Sequence, residues 1–241
     1  RIGVVRRAEA PAAVGQALTW RPMARLPPID PELRRRLEAV GWGDDPRAEE
    51  PLGIVWRGPD PDGALVRMVE FLEAAHPRFD PLFDPEASRR LAYLAGASRE
   101  LMRQLTRHPW WLFGAEEDDL TGVSRSTLSR VAAEDMAGEV DVGEGGRRLS
   151  DMADDVVGRL LEQTLEADCP PLAVMALGKW GGRELNYWSD IDLIFVFEGG
   201  AADSAVARRM AGALLRRLAG GPEGVILHAD ADLRPEGSRG P

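Results

Sequence analysis

Cysteine, lysine, histidine and tyrosine are all scarce in this chain. One cysteine, Cys169, in 241 residues excludes an internal disulfide and fits a reducing compartment. No stretch approaches the roughly 20 apolar residues of a membrane-spanning helix. Nothing at the start reads as a signal peptide, so the expected location is the cytoplasm, with no membrane partner. The three histidines, His76, His108 and His228, fall in separate segments and make no metal-ligand set. Positive charge is short as well: 30 Lys and Arg against 40 Asp and Glu give a formal net charge of −10. General polyanion binding needs clustered cations over phosphates, so no nucleic-acid partner is expected. The basic residues are nearly all Arg, and the single lysine, Lys179, stands inside a glycine-rich turn.

What is present fits a soluble globular protein, with 44% hydrophobic and 29% charged residues. The length allows one large domain or two small ones. The chain starts on Arg1 and stops in a turn-like run, Leu233–Pro241, and is read as a piece of a longer protein. Residues 1–60 are rich in Pro, Gly and charge and read as a variable, loosely packed leader, with one helix over Asp30–Val40. Residues 61–167 read as a helical region. Leu65, Met68, Val69 and Leu72 recur at the spacing of one buried helix face. Further helices are expected over Pro85–Leu105, Ser124–Ala137 and Ser150–Leu165, the first capped by Asp84. Arg125–Arg130 reads as a solvated helix face, Glu116–Asp119 as a solvated loop, and Trp110–Trp111 as packing anchors.

From residue 168 the rhythm changes to strand, helix, strand, helix, strand: Leu172–Leu177, Trp180–Asn186, Asp190–Phe197, Ala202–Ala219 and Gly224–Asp230. The fold class is therefore α+β, with helices ahead of a small catalytic core.

Three features of that core point to chemistry. Gly178, Gly181 and Gly182 leave backbone N–H groups open to a phosphate. Asp190 and Asp192 stand two apart in a strand, so both carboxylates project from one face while Ile191 turns into the core. Paired oxygen donors suit Mg²⁺, with substrate phosphates completing its shell. Asp230 ends the third strand, where a third carboxylate could reach the same ions; Asp232, two residues on, is its rival. Two-metal sites of this kind hold both the attacking and the leaving oxygen of a displacement at phosphorus.

The run LGKWGGRELNYWSDIDLIFVF followed by HADADLRPEGSRGP resembles the bifunctional glutamine synthetase adenylyltransferase/adenylyl-removing enzymes. The resemblance is strong over 170–241 and weaker through Gly96–Ser98, His108–Pro109 and Ala133–Val142. It implies a DNA polymerase β-like nucleotidyltransferase core, a mixed sheet with flanking helices, truncated here at its C-terminal side. The Glu184-Leu185-Asn186 variant, the ending Arg234–Pro241 and the helical lead-in resemble the adenylyl-removing half. The resemblance then implies phosphorolysis: inorganic phosphate attacks AMP carried on a tyrosine of glutamine synthetase and leaves as ADP. The expected partners are glutamine synthetase, ATP or ADP, phosphate, and a PII-type signalling protein, with Mg²⁺ as cofactor.

By the same resemblance Asp190, Asp192 and Asp230 are the catalytic metal ligands. Gly178, Lys179, Gly181, Gly182, Ser189 and Arg234 lie against phosphate, with Ser189 either binding it or capping the turn. Other readings remain open: the adenylylating half, another polymerase β-type nucleotidyltransferase, or a docking fragment without turnover of its own.

Overall fold

The computed structural model describes residues 29–231, apart from 44, 79, 82, 83, 222 and 223. Helix starts follow the local chemistry. Asp30 caps α1 (Pro31–Ala39), its carboxylate accepting from the Glu32 and Leu33 amides at 2.9 and 3.2 Å. α2 (Glu49–Trp56) follows a short 3-10 turn. Asp60 and Asp84 cap α3 (Pro61–Ala75) and α4 (Pro85–Ala97), each with proline just inside. That pairing suits the first turn, where proline's missing N–H costs nothing.

The expected helix Pro85–Leu105 is in fact two. Ser98 takes an extended conformation (φ −144°, ψ 110°) and its hydroxyl accepts from the Leu101 amide at 3.2 Å, opening α5 (Arg99–Arg107). A serine that can serve the backbone this way competes with helix continuation. The next two helices start earlier than their apolar periodicity suggested. Asp119 caps α6 (Leu120–Ala137) and Asp141 caps α7 (Val142–Thr164). Ser150 and Asp151, expected at a helix start, therefore sit in mid-helix. Residues 29–60 also depart from the expected loose leader, since Leu37, Trp42, Leu52 and Val55 are buried.

These helices share one core. α3 packs on α4 and α5, α4 on α2 and α6, and α6 on α7. Phe71, Leu91, Leu94, Met102 and Leu105 are wholly enclosed, each contributing about 1.5–3 kcal/mol of burial. No described helix is long and apolar enough to cross a membrane.

The rest is a small mixed sheet on the far side of α7. β1 (Leu172–Ala176) pairs antiparallel with β2 (Ile191–Phe197), which pairs in parallel with β3 (Ala229–Asp230). The short α8 (Gly178–Gly182) joins β1 to β2, and α9 (Ala201–Leu218) packs on both α7 and β2. The glycine turn is thus the helix itself rather than a loop ahead of it, and the chain leaves it through Arg183 in the left-handed region (φ 60°).

The expected strand Gly224–Asp230 forms only at its last two residues. Upstream, tertiary partners take the backbone instead of a ladder. The Ile226 and Leu227 amides both donate to the Leu218 carbonyl at 3.1 Å, and Ser124 and Arg125 donate to the carbonyls of Ile226 and Val225.

Sheet and helices are locked together around α7. Trp180 is buried and its indole N–H donates to Asp154 Oδ1 at 2.8 Å, while Arg183 pairs with Asp151. Trp180→Phe keeps most of the ring but removes the donor, and is expected to cost about 1 kcal/mol. Trp180→Ala removes the packing too and should cost about 3–5 kcal/mol. Urea denaturation midpoints at constant slope check both values.

Candidate active site

The carboxylates stand at the mouth of the sheet. Ile191 and Leu193 are fully buried, Asp192 is half-buried and Asp190 is exposed. Asp192 alternates with the buried Ile191 and Leu193 along β2, whereas Asp190, expected inside the strand, lies just ahead of it because β2 begins at Ile191. The parallel register sets Asp230 opposite Asp192, on strands that run about 4.8 Å apart. Asp190 and Asp230 also line one open cleft of about 500 Å³, together with His228, Ala229 and Ala231, while Asp192 stands outside its lining. Neither Asp190 nor Asp192 has a side-chain hydrogen bond or ion pair among the described residues.

Gly178 explains how Asp192 is seated. Its φ of +52° lies in the left-handed region, and a Cβ there would collide with Asp192 Oδ2 and stand 3.0 Å from Cγ. The Leu177 amide donates to the Asp192 carbonyl at 2.8 Å, which pins the turn to the strand. The missing side chain at Gly178 is therefore space filled by a carboxylate.

Gly181 departs from its expected part in holding phosphate, because its amide already donates to the Leu177 carbonyl at 2.8 Å. What it supplies is room: a Cβ would meet the Ala176 carbonyl oxygen at 2.5 Å. Gly182 carries no comparable demand, with its nearest Cβ neighbour at 3.6 Å.

Lys179 and Ser189, both expected near phosphate, meet each other. The Lys179 ammonium donates to Ser189 Oγ at 3.3 Å, and Ser189 Oγ donates to Asn186 Oδ1 at 2.6 Å. Arg234 and Asp232 lie outside the described residues.

The loop between α8 and β2 is held from behind. The buried face of Tyr187 and the charge of Asp135 raise the Tyr187 phenol above its ordinary value, and its O–H donates to Asp135 Oδ2 at 2.7 Å. Trp188 projects outward, 56% exposed. Of the anchoring aromatics, Trp111 is buried and stacks on His108 with ring centroids 4.1 Å apart, whereas Trp110 faces solvent.

The donor chemistry of this mouth fits a hard cation. Asp190 and Asp192 offer oxygens that no cationic side chain of the described residues has taken, and the Gly178 cradle leaves Asp192 room to present one. Among the described residues no group of three or more His, Cys, Asp or Glu gathers closely enough to hold a metal ion alone. Oxygens from substrate or solvent would have to complete the shell.

Gly178→Ala is expected to push Asp192 aside while leaving the helical core intact. The left-handed backbone costs a non-glycine residue about 1–2 kcal/mol, so the melting temperature should fall by a few degrees. Divalent-cation binding, followed by titration calorimetry, should weaken at least tenfold.

The sequence profile of the glutamate-ammonia ligase adenylyltransferase family matches residues 64–241. Among curated proteins, the bifunctional glutamine synthetase adenylyltransferase/adenylyl-removing enzyme of Streptomyces coelicolor is 35% identical over 88% of this chain. The enzymes of the same name from Mycolicibacterium smegmatis and Cutibacterium acnes are each 32% identical, over 90% and 79% of the chain. The chain spans about a quarter of the length of these relatives, 26%, 26% and 23% in turn. Profile and relatives run across the helical layer and the sheet alike, and on that ground the chain belongs to the glutamate-ammonia ligase adenylyltransferase family.

Proposed function

We propose that this chain is a nucleotidyltransferase unit that removes AMP from an adenylylated tyrosine of glutamine synthetase, with phosphate as the acceptor and ADP as the product. The observation that carries the reading is the seating of Asp192 over Gly178, opposite Asp230 and one alternation from Asp190. A polymerase β-like core follows from the same proposal. The mixed sheet, in which β2 carries the acids and takes β1 and β3 on opposite edges, is consistent with it.

The chemistry sets the requirements. A phosphate oxygen forms a bond to the AMP phosphorus while the bond from phosphorus to the tyrosyl oxygen breaks. The electron pair leaves on the phenolate, which then takes up a proton. A phenol of pKa about 10 is a fair leaving group, so the larger obstacle is charge: a phosphate dianion must approach an anionic diester. Preorganised positive charge at the transferring group is the usual remedy.

Asp190, Asp192 and Asp230 are the residues that would hold Mg²⁺. Bound there, Mg²⁺ supplies neutralisation of the phosphoryl oxygens and orientation of the attacking and leaving oxygens. Lys179 adds a cation of the chain's own, its ammonium donating to Ser189, the residue that precedes Asp190. Asn186 fixes the Ser189 hydroxyl, and the Tyr187–Asp135 bond keeps the loop from swinging away. A PII-type protein regulating the longer enzyme, and a cytoplasmic setting, belong to the same proposal and rest on the family resemblance.

The deciding experiment incubates adenylylated glutamine synthetase with this chain, Mg²⁺ and phosphate. ADP is expected, and only when phosphate is present. AMP incorporation from ATP in its place would reverse the direction of transfer. Asp190→Asn and Asp192→Asn should each lower turnover by at least about a hundredfold, the scale of losing a group that stabilises developing charge, with melting temperatures within a few degrees of the parent. Undiminished turnover in either variant would remove the carboxylates from the mechanism.

A further inference from the structure

A second cleft lies behind the carboxylate mouth. Its volume is about 340 Å³, within the range of small-ligand sites. α5 and α6 form one wall, the Leu185–Ser189 loop another, and the irregular segment 224–228 separates it from the carboxylate cleft, with Val225, Leu227 and His228 shared between the two.

Its electrostatics run against the rest of the molecule. In a chain of net charge −10, three arginines (Arg103, Arg107 and Arg125) line this cleft against one glutamate, Glu100. Glu100 is already engaged: Arg103 grips it with contacts of 2.6–3.0 Å, and the Gln104 amide donates to it at 2.7 Å. Among the described residues Arg107 and Arg125 have no carboxylate within 4.0 Å, and the charge of Glu100 acts on both only from longer range.

Arg125 is the more telling of the two. Expected on a solvated face, it is half-buried, and among the described residues its guanidinium makes one hydrogen bond, to the Val225 carbonyl at 2.6 Å. Burial lowers its pKa from the ordinary arginine value, yet a guanidinium stays charged at neutral pH. A desolvated cation with most of its donors unused is costly unless an anion meets it. Gln104 lines the same cleft, and its buried Oε1 has no hydrogen-bond partner among the described residues. That atom calls for a ligand that also carries an O–H or N–H.

We propose that this cleft is an oxyanion subsite, in which Arg107 and Arg125 take a phosphate group and Gln104 accepts from a hydroxyl of the same ligand. Monohydrogen phosphate and the phosphates of a nucleotide share this chemistry. Guanidinium forks match two phosphate oxygens at once, and the low-dielectric walls concentrate the field on them. The subsite stands independently of metal binding by Asp190 and Asp192. It would bring the acceptor or product phosphate of the proposed reaction to the back of the carboxylate mouth.

The test is calorimetric titration of the full chain in EDTA with three probes: inorganic phosphate, ADP and adenosine. Phosphate and ADP should bind and compete, and adenosine should bind at least tenfold more weakly than ADP. Arg107→Gln, on a solvent-facing side chain, and Arg125→Gln should each weaken phosphate binding about tenfold. If Arg125→Gln also lowers the melting temperature by unseating segment 224–228, Arg107→Gln alone decides. Asp190→Asn should leave phosphate binding in EDTA within twofold of the parent.

Absence of phosphate and ADP binding by the parent chain overturns the subsite. So does equal binding of adenosine and ADP, or indifference to Arg107→Gln. Turnover that survives Asp190→Asn sinks the metal reading instead and leaves the subsite in place, so the two failures are distinguishable.

Discussion

Helices seldom approach the backbone of a neighbouring loop closely, because Cβ atoms stand in the way. α7 does so at Gly146, where a Cβ would lie 3.2 Å from Glu184 Cα and 3.3 Å from the Glu184 carbonyl carbon. On its other flank Gly145 faces Val131 of α6, with room for only a tight Cβ contact at 3.4 Å. Around this notch Ser150 Oγ donates to the Gly146 carbonyl at 2.8 Å and accepts from the Leu185 amide at 3.4 Å. Glycine inside a helix is destabilising by about 1 kcal/mol relative to alanine, and α7 accepts that cost more than once. What it gains is a fixed distance between the helical layer and the turn that carries Lys179, Ser189 and the carboxylate strand.

That dependence decides which parts of the molecule could be read ahead of the structure. The acidic strand was legible because period-two alternation is local: Asp190 and Asp192 follow from Ile191 and Leu193 without any knowledge of neighbours. The helix cap at Asp84 was legible for the same reason, since the cap and the amides it satisfies lie within one turn. The start of α7 was not, because three glycines in its first turn and a half argue against a helix until the loop that needs the space is known. Arg125 was not legible either. In sequence it is one of several arginines on a helix, and only the distant carbonyl of Val225 turns it inward. The strand ahead of Asp230 misled in the opposite sense, its apolar run Val225-Ile226-Leu227 having the composition of β-structure while its hydrogen bonds go to α6 and to the end of α9.

The arginines divide by what surrounds them. Arg35–Glu32, Arg103–Glu100 and Arg147–Glu144 are neighbours one turn apart on exposed faces, and such pairs contribute only about 0.3–0.5 kcal/mol each. Arg148–Glu134 and Arg183–Asp151 span different elements and orient them. Arg125 does neither: it is spent on a backbone carbonyl inside a cleft. An acidic protein that neutralises its basic residues locally keeps little long-range positive potential, so the few arginines without a carboxylate set the field where an anion can enter.

The parallel pairing of β3 has a mechanical side. A strand of two residues has almost no ladder of its own to hold its register. Its position is inherited from the residues just before it, where the amides of Ile226 and Leu227 converge on the one carbonyl of Leu218. That oxygen ends α9, the helix that packs on both α7 and the acidic strand. The separation of Asp230 from Asp192 is therefore gauged by a helix terminus, like the jaw of a caliper set from its far arm.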